Sequence, residues 1–90
     1  MSTSEKVFLV DDEKVVRLSL KRELQNKNFE VEDFESALDA LASISADWPG
    51  VLVSDVIMPK MNGLTLMEKV KEVDPEIPVI LITGQGNISM

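Results

Sequence analysis

Two hydrophobic patterns alternate along this chain: short continuous apolar runs, and longer stretches in which apolar residues recur every three or four positions. Val7 to Val10 (VFLV), Val51 to Ser54 (VLVS) and Pro78 to Ile82 (PVILI) are the runs. β-branched runs of this length, bounded by Gly, Pro or acids, predict strands covered on both faces, as in parallel sheets. Phe29 to Phe34 (FEVEDF) instead alternates apolar with acidic residues, which predicts a half-exposed edge strand. Between the runs, helical spacing predicts a helix from Glu13 to Asn26. Val15, Val16, Leu18, Leu20 and Leu24 form its apolar face, and Lys14, Arg17, Lys21, Arg22 and Glu23 its solvated one. A second helix runs from the N-cap candidate Ser36 through Ala46 and is broken by Asp47-Trp48-Pro49-Gly50. A third carries Leu64, Leu66, Met67, Val70 and Val73 and stops at Asp74-Pro75.

Alternating strands and helices of these lengths call for βαβ units, right-handed crossovers and a mostly parallel α/β sheet in a single domain spanning residues 1–90. The last stretch fits less well. Thr83 to Asn87 reads as a Gly-rich loop, and Ile88 to Met90 as the opening turn of a helix. On this reading the domain is incomplete at its carboxyl end and the PVILI edge is left uncovered. An unpaired edge of that kind predicts association of two chains through strand 78–82.

Composition narrows the chemistry. The chain has 90 residues, no cysteine and no histidine, which removes disulfides, thiolate metal sites and Ser-His-Asp or Cys-His catalysis. A formal charge of −7 opposes direct binding to nucleic acid or anionic lipid. Basic partners and metal cations remain. There is no apolar run of membrane-spanning length, and MSTSEK lacks the features of a signal peptide, so the cytoplasm is the expected compartment.

The chemistry-bearing residues stand at predicted strand ends: Asp11 and Asp12 after the first, Asp55 after the third, Thr83 after the fourth. In open α/β sheets those ends share one rim, where ligands bind. Singly, each has a plain alternative, with Asp12 as a helix N-cap, Asp11 as a turn residue, Asp55 as the start of a loop and Thr83 as an exposed hydroxyl. Together they resist it. Carboxylates about 4 Å apart repel by roughly 4 kcal/mol per pair at an effective dielectric near 20, so a cluster calls for a cation or raised pKa values. Mg²⁺, which takes oxygen ligands and keeps several waters, suits Asp11, Asp12 and Asp55. Asp55 is then a candidate nucleophile toward phosphorus, and Thr83 a hydrogen-bond donor to a phosphoryl oxygen.

These residues, within VFLVDDE, LVSDVIMPKMNGLTL and PVILITGQGNISM in that order, resemble the receiver domain of bacterial two-component response regulators. The resemblance implies a flavodoxin-like doubly wound parallel sheet of order 2-1-3-4, with the fifth strand and last helices missing. It implies that Asp55 is the phospho-acceptor, that Asp11 and Asp12 bind Mg²⁺, and that Ile57 lends its backbone carbonyl to the metal. Thr83 matches the hydroxyl that moves toward the phosphoryl group, and Pro59 and Gly63 match the turn after the acceptor, where Gly suits unusual φ values. A Lys at the end of a fifth strand belongs to the family pattern and is not in this sequence. The implied partners are a sensor histidine kinase and an output module of the same protein, in transcriptional control. TGQGNISM is similar to receivers of nitrogen-regulation, dicarboxylate-transport and nitrogen-fixation regulators.

The expected function is therefore a Mg²⁺-dependent phosphoryl-accepting switch rather than an enzyme acting on external substrates. The rival, motivated by the missing Lys, is an unphosphorylated interaction module or an inactive fragment. A third reading, an aspartyl-phosphate hydrolase, needs an acid two residues beyond the nucleophile, where Ile57 stands.

Overall fold

A computed structural model describes residues 5–83 and 86–89, with side chains described through Ile82. Its elements are β1 (Lys6–Val10), α1 (Lys14–Asn26), β2 (Glu30–Phe34), α2 (Ala37–Ala42), β3 (Val51–Asp55), α3 (Gly63–Val73), β4 (Val79–Thr83) and β5 (Gly86–Ser89). The sheet order is β2-β1-β3-β4-β5, and the first four strands run parallel. This is the doubly wound order 2-1-3-4 expected from the sequence, with β2 on the edge as its alternation required.

Strand periodicity divides the apolar residues between two layers. On one face Phe8, Val10, Leu52, Val79 and Leu81 meet Ala37, Ala40 and Ile44 of the α2 region and Leu66 and Val70 of α3. Phe8 also stacks edge-on against Phe34 at 4.8 Å and lies 4.3 Å from Trp48, centroid to centroid. On the other face Val7, Leu9 and Val53 lie beneath Leu20 and Leu24 of α1. The sheet is thus the middle layer of three.

Several expectations need correction. The apolar face of α1 is narrower than predicted, because Val15, Val16 and Leu18 are 81%, 42% and 44% exposed and only Leu20 and Leu24 reach the sheet. Asp12 is not its N-cap; Glu13 holds that position without a side-chain cap, and the Asp11 carboxylate accepts the Glu13 N–H at 2.9 Å. The second helix stops at Ala42 rather than Ala46. Its end tightens into Ser43 N–H to Ala40 and Ile44 N–H to Leu41 bonds, and the Ser43 hydroxyl donates to the Asp39 carbonyl at 3.1 Å.

The carboxyl end differs most. Gly86–Ser89 is neither loop nor helix but a strand antiparallel to β4, with Thr83 opposite Gly86, Leu81 opposite Ile88 and Ile80 opposite Ser89. The backbone groups of β4 on that side bond to β5, so the 78–82 edge is not open and the ground for expecting two chains to associate through it is removed. The physical reason is local: a short return of the same chain satisfies those groups without a second molecule.

One ion-pair network ties α1 to β2. The Asp33 carboxylate accepts Arg17 Nε and Lys21 Nζ, each at 2.8 Å. The Lys21 hydrogen bond, and after it the Arg17 bond, hold the Asp33 carboxyl below the usual carboxylate range against the opposing effect of burial. A depressed folded-state pKa gives stability that is present above the ordinary carboxylate value and lost as pH falls through the folded one. Urea unfolding from neutral pH down through the carboxylate range should therefore show an acid-side loss that is shallower in Asp33→Asn, which begins from a lower neutral-pH stability. A variant profile parallel to wild type would contradict the assignment.

Candidate phosphoryl and metal site

Register brings the acids together. Val10 pairs with Ser54 across β1 and β3, so the next residues along, Asp11 and Asp55, come level at the carboxyl rim of the sheet. Each follows its strand in the two-residue rhythm of the face that α1 covers, as Val7, Leu9, Asp11 and as Val51, Val53, Asp55. Asp12 follows in the turn. One carboxylate oxygen from each of Asp11, Asp12 and Asp55 lies within 4.8 Å of the others.

Their environments differ. Asp11 is buried, at 5% exposure, whereas Asp12 and Asp55 are half-buried. Burial pushes the Asp11 carboxyl above its ordinary value; the Glu13 N–H bond opposes this, and the charges of Asp55, Asp12 and Glu13 add to the rise. Among the described residues the ion pairs are those of Asp33, so none of the three acids is directly paired with a Lys or Arg.

The loop after Asp55 is fixed at both ends. Val56 N–H donates to the Ile82 carbonyl at 3.0 Å, and Gly63 N–H donates back to the Val56 carbonyl at 2.8 Å. Met58 is buried beneath the loop, while Ile57 points outward at 78% exposure. The Ser54 hydroxyl donates to the Asp55 carbonyl at 2.9 Å. Gly63 is needed for space rather than for the unusual φ expected of it: a Cβ there would fall on the Asp55 carbonyl oxygen and 3.0 Å from Val56 Cα. The left-handed residue of this loop is Lys60, at φ 70°.

Of the sequence candidates, the structure brings Asp11, Asp12 and Asp55 into one cluster and places Ile57 two residues along the adjoining loop. Thr83 ends β4, whose Ile82 is opposite Asp55, but its hydroxyl lies outside the described residues. What sequence reading missed is Arg17. It was assigned to the solvated face of α1, yet its side chain is 11% exposed and its Nη1 donates to the Asp11 carbonyl at 2.9 Å. The available signal was the four-residue spacing of Arg17 and Lys21 opposite the acids of an edge strand.

The donor set fits a small hard cation. It is all oxygen, it is short of positive charge, and its spread of no more than 4.8 Å leaves room for one ion with water completing the shell.

The sequence profile described as the response regulator receiver domain matches residues 7–90. The C4-dicarboxylate transport transcriptional regulatory protein DctD of Rhizobium meliloti (strain 1021) is 44% identical over 90 residues, all of this chain and 20% of that protein. The DNA-binding transcriptional regulator NtrC of Proteus hauseri is 37% identical over 82 residues, 91% of this chain and 17% of its own. The chain thus spans about a fifth of the length of these relatives. Among solved structures, FixJ-N aligns with a TM-score of 0.81 at 37% identity, covering 97% of this chain and 70% of that one. The response regulator StyR aligns at 0.83 and 38% identity, over 98% and 44%. The kinship read from TGQGNISM agrees with these matches.

Two outcomes follow from the cluster. In metal-free buffer Asp55→Asn should raise the urea unfolding free energy by about 1 kcal/mol, since it removes one like charge from a partly buried group of three; an unchanged or lower value would count against the repulsion. Gly63→Ala should lose about 2 kcal/mol or more, because the new methyl meets backbone rather than a movable side chain. A loss below half that figure would show that α3 can shift away from Asp55.

Proposed function

This chain belongs to the response regulator receiver domain family, and from that premise we propose that Asp55 accepts a phosphoryl group from a phosphohistidine of a sensor kinase. The observation that supports the assignment is the convergence of Asp11 and Asp12 on Asp55. Of the three, Asp55 closes a strand and stands before a loop whose backbone is fixed at both ends, which supports its carboxylate at the rim as the attacking group.

A carboxylate oxygen of Asp55 bonds to phosphorus as the P–N bond to the donor imidazole breaks, and the imidazole leaves with the bonding pair. No proton need be taken from the attacking carboxylate. The donor histidine lies outside these 90 residues, which contain none. Asp11 and Asp12, with Asp55 and the Ile57 carbonyl, would hold Mg²⁺, and the Thr83 hydroxyl would donate to a phosphoryl oxygen. When bound, the cation supplies neutralisation of charge on the carboxylates and the transferring group. The Asp55 carbonyl is meanwhile kept in place by the Ser54 hydroxyl.

Such a site changes state rather than turning over a substrate. No helix among the described residues is long and apolar enough to cross a membrane; the compartment proposed from the family is the cytoplasm. Since both relatives are named as transcriptional regulators, the proposed output is control of transcription by a module outside these 90 residues. The net charge of −7 argues against DNA contact by the receiver itself.

Incubation with acetyl phosphate and Mg²⁺ should yield a species heavier by one phosphoryl group and slowed in a phosphate-affinity gel. Asp55→Asn should give none. Identical single bands for wild type and variant would remove the phospho-acceptor assignment and favour an unphosphorylated interaction module.

A further inference from the structure

Asp11 is gripped at three points. Its N–H donates to the Phe34 carbonyl at 3.1 Å, its carboxylate accepts the Glu13 N–H at 2.9 Å, and its carbonyl accepts Arg17 Nη1 at 2.9 Å. The third grip is unlike the others because it is made by a charged side chain reaching back from the first turns of α1. The same guanidinium uses Nε for Asp33, the residue before Phe34. Arg17 therefore spans two strands at once, holding the peptide that follows the Asp11 side chain against the end of β2.

From this arrangement we propose that Arg17 is a positioning residue for the cation site: it fixes the Asp11–Asp12 turn so that both carboxylates face Asp55. The inference rests on the cation reading of the cluster given above. Arg17 and Asp33 side chains are 11% and 19% exposed, so the bridge is largely withdrawn from water and geometrically tight. A planar fork with five donors can serve a carbonyl and a carboxylate together, which a single ammonium on a flexible stem does poorly. Groups one step removed from a metal typically change its affinity by about 10- to 100-fold when lost.

Lys21 provides the internal control. It is the other partner of Asp33, on the same helix and with the same charge, and its recorded bond goes to Asp33 alone. Removing either cation makes the neighbourhood more negative. Electrostatics by itself therefore predicts tighter Mg²⁺ binding for both variants, whereas positioning predicts weaker binding for one.

Calorimetric titration of the whole chain with MgCl₂, paired with urea unfolding in metal-free buffer, separates these. Arg17→Met should weaken Mg²⁺ binding about 10-fold, Arg17→Lys should recover only part of the loss, and Lys21→Met should bind as tightly as wild type or more so. Wild-type affinity in Arg17→Met, or equal weakening in Lys21→Met, would overturn the positioning role while leaving the cation site standing. Absence of binding in wild type would instead overturn the cation reading and the inference with it. Should Arg17→Met fail to fold, Arg17→Lys against Lys21→Arg makes the same comparison.

Discussion

Repulsion among three carboxylates is the constraint around which this fold is arranged. The pairing of β1 with β3 brings Asp11 level with Asp55, and Asp12 follows in the turn, with an oxygen of each inside 4.8 Å. Asp11 is buried and its carboxyl is pushed upward, so charge there is opposed both by lost hydration and by its neighbours. Such a cluster persists only if the backbone beneath it cannot move apart.

The rest of the molecule provides that rigidity. Leu9, Val10 and Leu52, directly behind the acids, are fully buried, and their alternation locks register because a one-residue slip would turn an apolar set toward the wrong layer. The open rim is braced by short polar devices: Gly63 lets α3 begin against the Asp55 peptide, Ser54 holds the Asp55 carbonyl, and Arg17 joins the Asp11 carbonyl to Asp33. These contacts hold the backbone beneath the three acids in place against their mutual repulsion.

Legibility in the sequence followed the range of the interactions. The strands VFLV, VLVS and PVILI and the helices between them were readable because burial on two faces and burial on one face leave different periods. Asp11, Asp12, Asp55 and Thr83 could be named because a parallel sheet places its strand ends on one rim. Helical periodicity did not separate Arg17 from its neighbours Lys14 and Arg22, since it marks which residues lack apolar partners and not which one crosses to an acid sixteen residues away; only the four-residue spacing from Lys21 pointed to the acids of β2. Gly63 was assigned to conformational freedom when its reason is proximity, which only three-dimensional contact reveals. The antiparallel return at Gly86–Ser89 was hidden by Gly and Asn residues that read locally as a loop.

The cluster is held together at an electrostatic cost, and under the proposed function a divalent cation removes it. The urea unfolding free energy of the wild-type chain across a Mg²⁺ series at constant ionic strength tests this. A single saturable site bound only by the folded state predicts stability rising by about 1.4 kcal/mol for each tenfold increase in Mg²⁺ once the dissociation constant is passed. Stability that does not change with Mg²⁺, or that changes equally with Na⁺ at matched ionic strength, would contradict it.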